Sequence, residues 1–249
     1  MSSLFGGFAP KYKPHEAPAI VTRAALTRDN AYDLRYAVQE VENIQNLLGG
    51  DVFLREKAAE STFKQKANQY RILHFAMHAM PDSANPTFSK LLFTYNAQDS
   101  LEDNDLTAAE LYTMHLNADL AVLSACQTGY GKINRGEGVM SLSRAFAYAG
   151  VPATVMSLWK VPDNATSDIM LTFYKNLKLG QTKDDALRNA KLSYLAQHPE
   201  ANNPFFWAGF VAEGDMSVME MINPYEALWI GGGLLVFLMG LGVWKRFKR

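Results

Sequence analysis

The chain has 249 residues, 48% of them hydrophobic and 20% charged, with a formal net charge of −1. That composition is ordinary for a globular protein, and a near-neutral balance, with Lys and Arg dispersed until the last five positions, gives no electrostatic footprint for nucleic acid as a partner. A single cysteine, Cys126, excludes an internal disulfide and any Cys-based zinc cluster.

The opening residues, MSSLFGGFAPKYKP, lack a charged stretch followed by an apolar run and do not read as a signal peptide. Residues 4–9 read instead as a strand entered at once, as expected for the end of a longer chain. A helix is expected over 36–48, with apolar Val38, Val41, Ile44, Leu47 and Leu48 at helical spacing and Gly49-Gly50 as its stop. A strand follows at 51–54, then a helix capped by Ser61, and strands at 72–76 and 91–95. Thr107 caps a helix beginning TAAELY, and 120–125 is a further apolar strand. Residues 139–149 read as a helix ended by Gly150-Val151-Pro152, and 154–158 as a strand. Helices at 166–177 and 182–196 and a strand at 207–212 complete the series. Short, near-continuous apolar runs alternating with helices predict an α/β sandwich with a mainly parallel central sheet over residues 1–215.

Residues 216–226 read as a linker, and the uncharged run 227–244, ALWIGGGLLVFLMGLGVW, as a transmembrane helix. At 1.5 Å per residue that run spans roughly 27 Å. Trp229 and Trp244 sit at its ends, and a basic tail, 245–249, follows with Lys245, Arg246, Lys248 and Arg249. The basic side is expected in the cytoplasm, which places the domain in a periplasm or outside the cell. Insertion tail-first would leave the domain in the cytoplasm instead.

Two segments carry chemistry. RILHFAMHAM, residues 71–80, delivers His78 just past a buried strand. ADLAVLSACQTGYGK, residues 118–132, delivers Cys126 just past another. Ligands of open parallel sheets bind at the carboxyl ends of the strands, so both side chains are expected at one edge. On neighbouring strands, about 4.8 Å apart, they could meet. A thiol needs a base or a cation to become a nucleophile near neutral pH, and an imidazole supplies either. Backbone N–H groups beside Cys126 and Ala79 could hold the developing oxyanion. No third carboxylate is obvious, so a dyad is the economical proposal. His74 and His78 are four apart, but they lie on and after a strand with no third ligand nearby, so no metal is expected and His74 reads as a hydrogen-bonded core residue. His15, His115 and His198 fall in polar settings and read as surface residues.

HFAMH (74–78), LSACQTG (123–129), GEGVMSLSRAFAYAG (136–150), SLWKVPDNAT (157–166) and NPFFWAGFVAEGD (203–215) resemble the CHAT-domain family, caspase-like cysteine peptidases of the clan that also holds caspases and separase. LFGGFAPKY and VQEVENIQNLLGG (38–50) resemble the family's opening strand and first helix, so the likeness covers about residues 4–215 in family order. The resemblance implies a caspase-like three-layer α/β sandwich. It implies His78 as general base, Cys126 as nucleophile, and cleavage of protein substrates through a thioester without a cofactor. It implies substrate subsites around Ser157 and Trp159. Asp163 then either touches a substrate side chain or caps the helix near 166, and Glu137 either anchors a loop or walls the cleft. Loops 127–138 and 158–165 are expected to be mobile and ordered by a trigger.

Two departures stand out. The family usually has Gly after the second histidine, where this chain has Ala79, and alanine disfavours positive φ. Many family members also carry helical tetratricopeptide repeats ahead of this domain, so a helical-repeat regulator is expected upstream in the same longer chain or as a separate one. The rival reading is a weak or inactive membrane-anchored scaffold that binds a protein partner. A transferase using the same cysteine is a third.

Overall fold

A computed structural model describes residues 3–12, 34–82, 84–95, 102–124 and 137–221, with 137–141 described as backbone only. Four parallel ladders and one antiparallel ladder build the main sheet. Its strands are β1 (Ser3–Ala9), β2 (Asp51–Leu54), β3 (Tyr70–Phe75), β7 (Leu120–Leu123), β8 (Ala153–Ser157) and β9 (Phe210–Gly214), in the order β2-β1-β3-β7-β8-β9. Every neighbouring pair is parallel except β8 and β9. The expected mainly parallel α/β architecture is therefore present.

The alternating faces of β1 and β3 show how the layers form. His74 and Phe5 point to one face, where α1 (Ala37–Leu48) and α5 (Asp163–Lys178) lie. Phe8 and Phe75 point to the other, against Phe63 of α2 (Glu60–Lys66) and Phe146 of α4 (Glu137–Tyr148). Phe5, Phe8, Phe63, Phe75 and Phe146 are all fully buried. At about 2–3 kcal/mol each, such rings supply much of the core's stabilisation. On the first face α1 approaches β1 so closely that a Cβ on Gly7 would lie 2.5 Å from a Val41 methyl. Gly50, which ends the α1–β2 turn at φ +97°, faces the Phe5 carbonyl just as tightly, so alanine there would be both strained and obstructed.

A second, smaller sheet lies outside the parallel one. It contains β4 (Ala79–Met80), β5 (Lys90–Leu92) and β6 (Asp105–Thr107), all antiparallel, in the order β4-β5-β6. The strand expected at 91–95 belongs here and not to the main sheet. Several boundaries also differ from the sequence reading, among them the strand expected at 207–212, which is β9 and begins at Phe210. The second helix begins at Glu60 after Ala59, so Ser61 sits inside it, because the preceding backbone is already extended at Ala59. The fifth begins at Asp163 after Pro162, whose fixed φ ends the loop three residues earlier than expected. Thr107 does cap α3 (Ala108–Leu111), in a capping box with Glu110. Helix α6 (Lys183–Gln197) packs against α5 and β9.

Residues 1–218 form one compact unit and 219–249 a second, of which 219–221 are described. Met216 and Ser217 accept hydrogen bonds from Lys183 at the start of α6, so the first unit continues past residue 215. The span expected at 227–244 lies outside the described residues. Among those described, no helix is long and apolar enough to cross a membrane.

Candidate active site

The register of β3 on β7 determines where the two candidate residues are delivered. Arg71 lies beside Asp119, Nε to Oδ2 2.6 Å, and the Asp119 N–H donates to the Arg71 carbonyl at 2.7 Å. From there Ile72 pairs with Leu120 and Phe75 with Leu123. Every partner is thus 48 residues ahead, since 123 − 75 = 48. His78 and Cys126 are also 48 apart, since 126 − 78 = 48. The ladder continues one step further, where the Ser124 N–H donates to the Phe75 carbonyl at 3.1 Å. Residues 125–136, Cys126 among them, lie outside the described residues.

His78 leaves the main sheet and enters the small one. It is 1% exposed. Its N–H donates to the Tyr12 hydroxyl at 3.0 Å, and its carbonyl accepts from the Leu92 N–H at 2.9 Å. The Tyr12 ring lies against the imidazole with centroids 4.5 Å apart.

Ala79 follows in extended β4, paired with Leu91. Because the Leu92 N–H bonds the residue before it, Ala79 occupies a non-hydrogen-bonded position of the antiparallel ladder. Its own N–H is therefore turned away from β5, its ladder partner among the described residues. The left-handed backbone that glycine would permit is not used here. Among the described non-glycine residues, only Arg55 and Asn104 have positive φ. Alanine consequently introduces no strain at this position.

His74 faces the opposite layer. Its Nδ1 is 3.0 Å from the Tyr174 hydroxyl and its Nε2 2.8 Å from Glu40 Oε1, all three side chains being buried. Burial, reinforced by the Glu40 charge, pushes the Tyr174 phenol well above its ordinary range. His74 is thus the hydrogen-bonded core residue expected, and it is not directed at the site of His78.

The expected substrate-side residues are arranged as follows. Ser157, the last residue of β8, is buried and its hydroxyl donates to the Trp159 carbonyl within its own loop. Trp159 is half-buried. Its indole N–H donates to the Phe205 carbonyl at 2.9 Å, and the ring lies over Gly209, where a Cβ would approach it to 3.0 Å. With the Leu158 N–H bonded to the Gly209 carbonyl, the first part of the 158–165 segment is tied to the 205–209 turn. Asp163 is half-buried in the first turn of α5. Burial raises its carboxyl, the Lys160 charge opposes the shift, and the Glu40 charge adds to it. Glu137 opens α4. His115 is exposed, and His198 lies half-buried 3.5 Å from Asp168 and 3.4 Å from Glu200.

Sequence reasoning passed over one acidic cluster. Glu60, Glu102 and Glu110 bring carboxylate oxygens within 4.8 Å of one another, a spacing that could hold a cation. The Lys64 ammonium already stands among them, 2.7 Å from Glu60 and 2.8 Å from Glu110. Burial opposes the Lys64 charge, but its hydrogen bonds to Glu102, Glu110 and Glu60 outweigh that and hold it above its usual range. The cluster therefore carries its own countercharge and reads as a clasp between α2 and α3.

The fold is a mixed α/β sandwich that sets one imidazole at the carboxyl edge of neighbouring parallel strands. The family model described as "CHAT domain" matches residues 10–215, and the chain belongs to that family. Tetratricopeptide repeat protein 28 of Mus musculus is 27% identical over 208 residues, covering 72% of this chain and 8% of its own length. The Homo sapiens protein of the same name matches with the same identity and coverage. The chain thus spans about 8% of the length of these curated relatives. Among solved structures, the Arg-specific cysteine proteinase gingipain R superposes with a TM-score of 0.47 at 9% identity, covering 74% of this chain and 42% of that one.

Proposed function

We propose that the domain is a cysteine endopeptidase acting through His78 and Cys126. The observation that carries this reading is the shared offset: the β3–β7 register and the His78–Cys126 separation are both 48 residues. Each residue follows its strand's last paired residue by three in the sequence, an offset that supports a shared crevice at the carboxyl ends of these adjacent parallel strands. His78 takes the thiol proton as Sγ attacks the peptide carbonyl, and the N–H groups of Ala79 and Cys126 hold the oxyanion. The C–N bond then breaks, the amine leaves with that proton, and water hydrolyses the thioester. The unstrained Ala79, with its N–H turned off the ladder, favours an intact oxyanion site.

The test is covalent labelling with a peptide bearing an electrophilic carbonyl. Labelling at Cys126 that falls at least about a hundredfold in His78→Ala supports the peptidase, since a general base contributes roughly 10²–10⁴. Equal labelling with and without His78 overturns it.

The 1% exposure of His78 favours a second reading, a scaffold that holds a protein partner without cleaving it. In the peptidase reading the same burial requires a trigger that opens the site before substrate enters. The tetratricopeptide names of the curated relatives favour a helical-repeat chain for that role. Residues 227–244 are proposed to anchor the chain in a membrane with its basic end in the cytoplasm. An impermeant reagent that fails to reach the domain in intact cells overturns that orientation.

A further inference from the structure

We propose that Tyr12 is the positioning residue of His78, fixing both its backbone and its imidazole ring. This rests on the peptidase reading and adds to it the group that aims the base.

Tyr12 is 6% exposed and stands three residues after the end of β1, the strand next to β3. Its hydroxyl accepts from the His78 N–H at 3.0 Å and donates to the Leu92 carbonyl at 2.7 Å. The Leu92 N–H returns a bond to the His78 carbonyl at 2.9 Å. These contacts close a ring of hydrogen bonds through three residues from three different segments. Both peptide groups of His78 are thereby held, one from the main sheet's side and one from β5. Above them the Tyr12 ring lies against the imidazole at 4.5 Å and 39°.

A hydroxyl suits this position because it must accept and donate at once. Phenylalanine keeps the ring but leaves a buried donor and a buried acceptor without their partner, which is costly. The segment carrying His78 then relaxes, and small displacements of a catalytic group lower rates steeply. Nothing in the spacing of LFGGFAPKY marks Tyr12, because its partners lie 66 and 80 residues away.

The experiment compares full-length Tyr12→Phe with Tyr70→Phe. Tyr70 is also buried, and its hydroxyl contacts Asp51 at 2.9 Å at the opposite end of β3. Two readouts are taken at matched folded fraction: the His78-dependent labelling rate of Cys126 and the imidazole ¹⁵N signals of His78. Tyr12→Phe is expected to lower the maximal labelling rate about tenfold without changing the half-saturating probe concentration. It is also expected to shift the His78 ring signals and their pH titration, while Tyr70→Phe does neither. Should Tyr12→Phe not fold, 3-fluorotyrosine at position 12 keeps ring and hydroxyl and is expected to shift the His78 amide and ring signals. Unchanged His78 signals in whichever variant folds, with a labelling rate equal to that of Tyr70→Phe, overturn the proposal. If the parent chain labels without His78, the peptidase reading fails while the imidazole signals still decide the role of Tyr12.

Discussion

Glu40, His74 and Tyr174 form a hydrogen-bonded chain sealed between β3, α1 and α5, and each depends on the next for its polar partner. Buried groups of this kind are costly to orphan but less costly to remove together. His74→Ala and Glu40→Ala are each expected to destabilise the domain by about 3 kcal/mol, while Glu40→Leu combined with His74→Phe costs less than the sum. Denaturant titration of the single and paired variants checks this, and a paired cost equal to the sum would show that Glu40 and His74 act independently. The Asp163 carboxyl, raised by burial and by the Glu40 charge, should move toward its ordinary range in Glu40→Ala. At this scale the sequence was legible in kind and not in partner. An apolar strand around His74 already implied a satisfied core histidine. That Glu40 and Tyr174, 34 and 100 residues away, satisfy it depends on how α1 and α5 dock, which no local pattern encodes.

Helix α2 is tied to α3 by the Lys64 clasp, and its most deeply buried member, Glu60, sets a pH dependence. Burial pushes the Glu60 carboxyl up to about 7 against the pull of Lys64 and with the push of Glu110 and Glu102. A folded-state value above the unfolded one means the native state holds the proton more tightly. That contribution is full below the unfolded value near 4.5 and is lost as pH rises through about 7. Glu60→Gln should therefore flatten the fall in Tm between about pH 5 and about pH 8, and an unchanged slope would show that the cluster ionises as one exposed group. In the same region the Thr107 side chain accepts from the Glu110 N–H, and Thr107→Ala is expected to cost about 1 kcal/mol. That cap was readable in TAAELY, as were the long elements of the main sheet with their apolar periods. The small sheet was not readable. Strands of two and three residues such as β4 and β6 have too little sequence for a period, and their pairing comes from β5 and Tyr12 lying alongside. Ala79 was legible as an oxyanion candidate, but the extended strand that carries it was hidden by its shortness.

The molecule as a whole depends on where the first unit ends. β9 is the antiparallel edge of the main sheet, pairing five residues with β8 from Ala153–Gly214 to Ser157–Phe210. It also supplies the Phe210 carbonyl to Lys191, and just beyond it Met216 and Ser217 receive Lys183, which is 3% exposed. Cutting after Gly209 would open the edge of β8 and leave both lysines without those carbonyls, one of them deeply buried. Cutting after Val218 removes none of these contacts. A chain ending at 218 is therefore expected to melt within about 3 °C of the full chain, and one ending at 209 to lose cooperative unfolding. The same pair of truncations separates the domain from the proposed anchor. If residues 227–244 hold the chain in a bilayer, the 1–218 form should appear in the aqueous fraction of lysed cells with its Cys126 labelling unchanged, while the full chain stays with membranes through alkaline extraction. Co-fractionation of both forms would place membrane association, if any, on the folded domain itself.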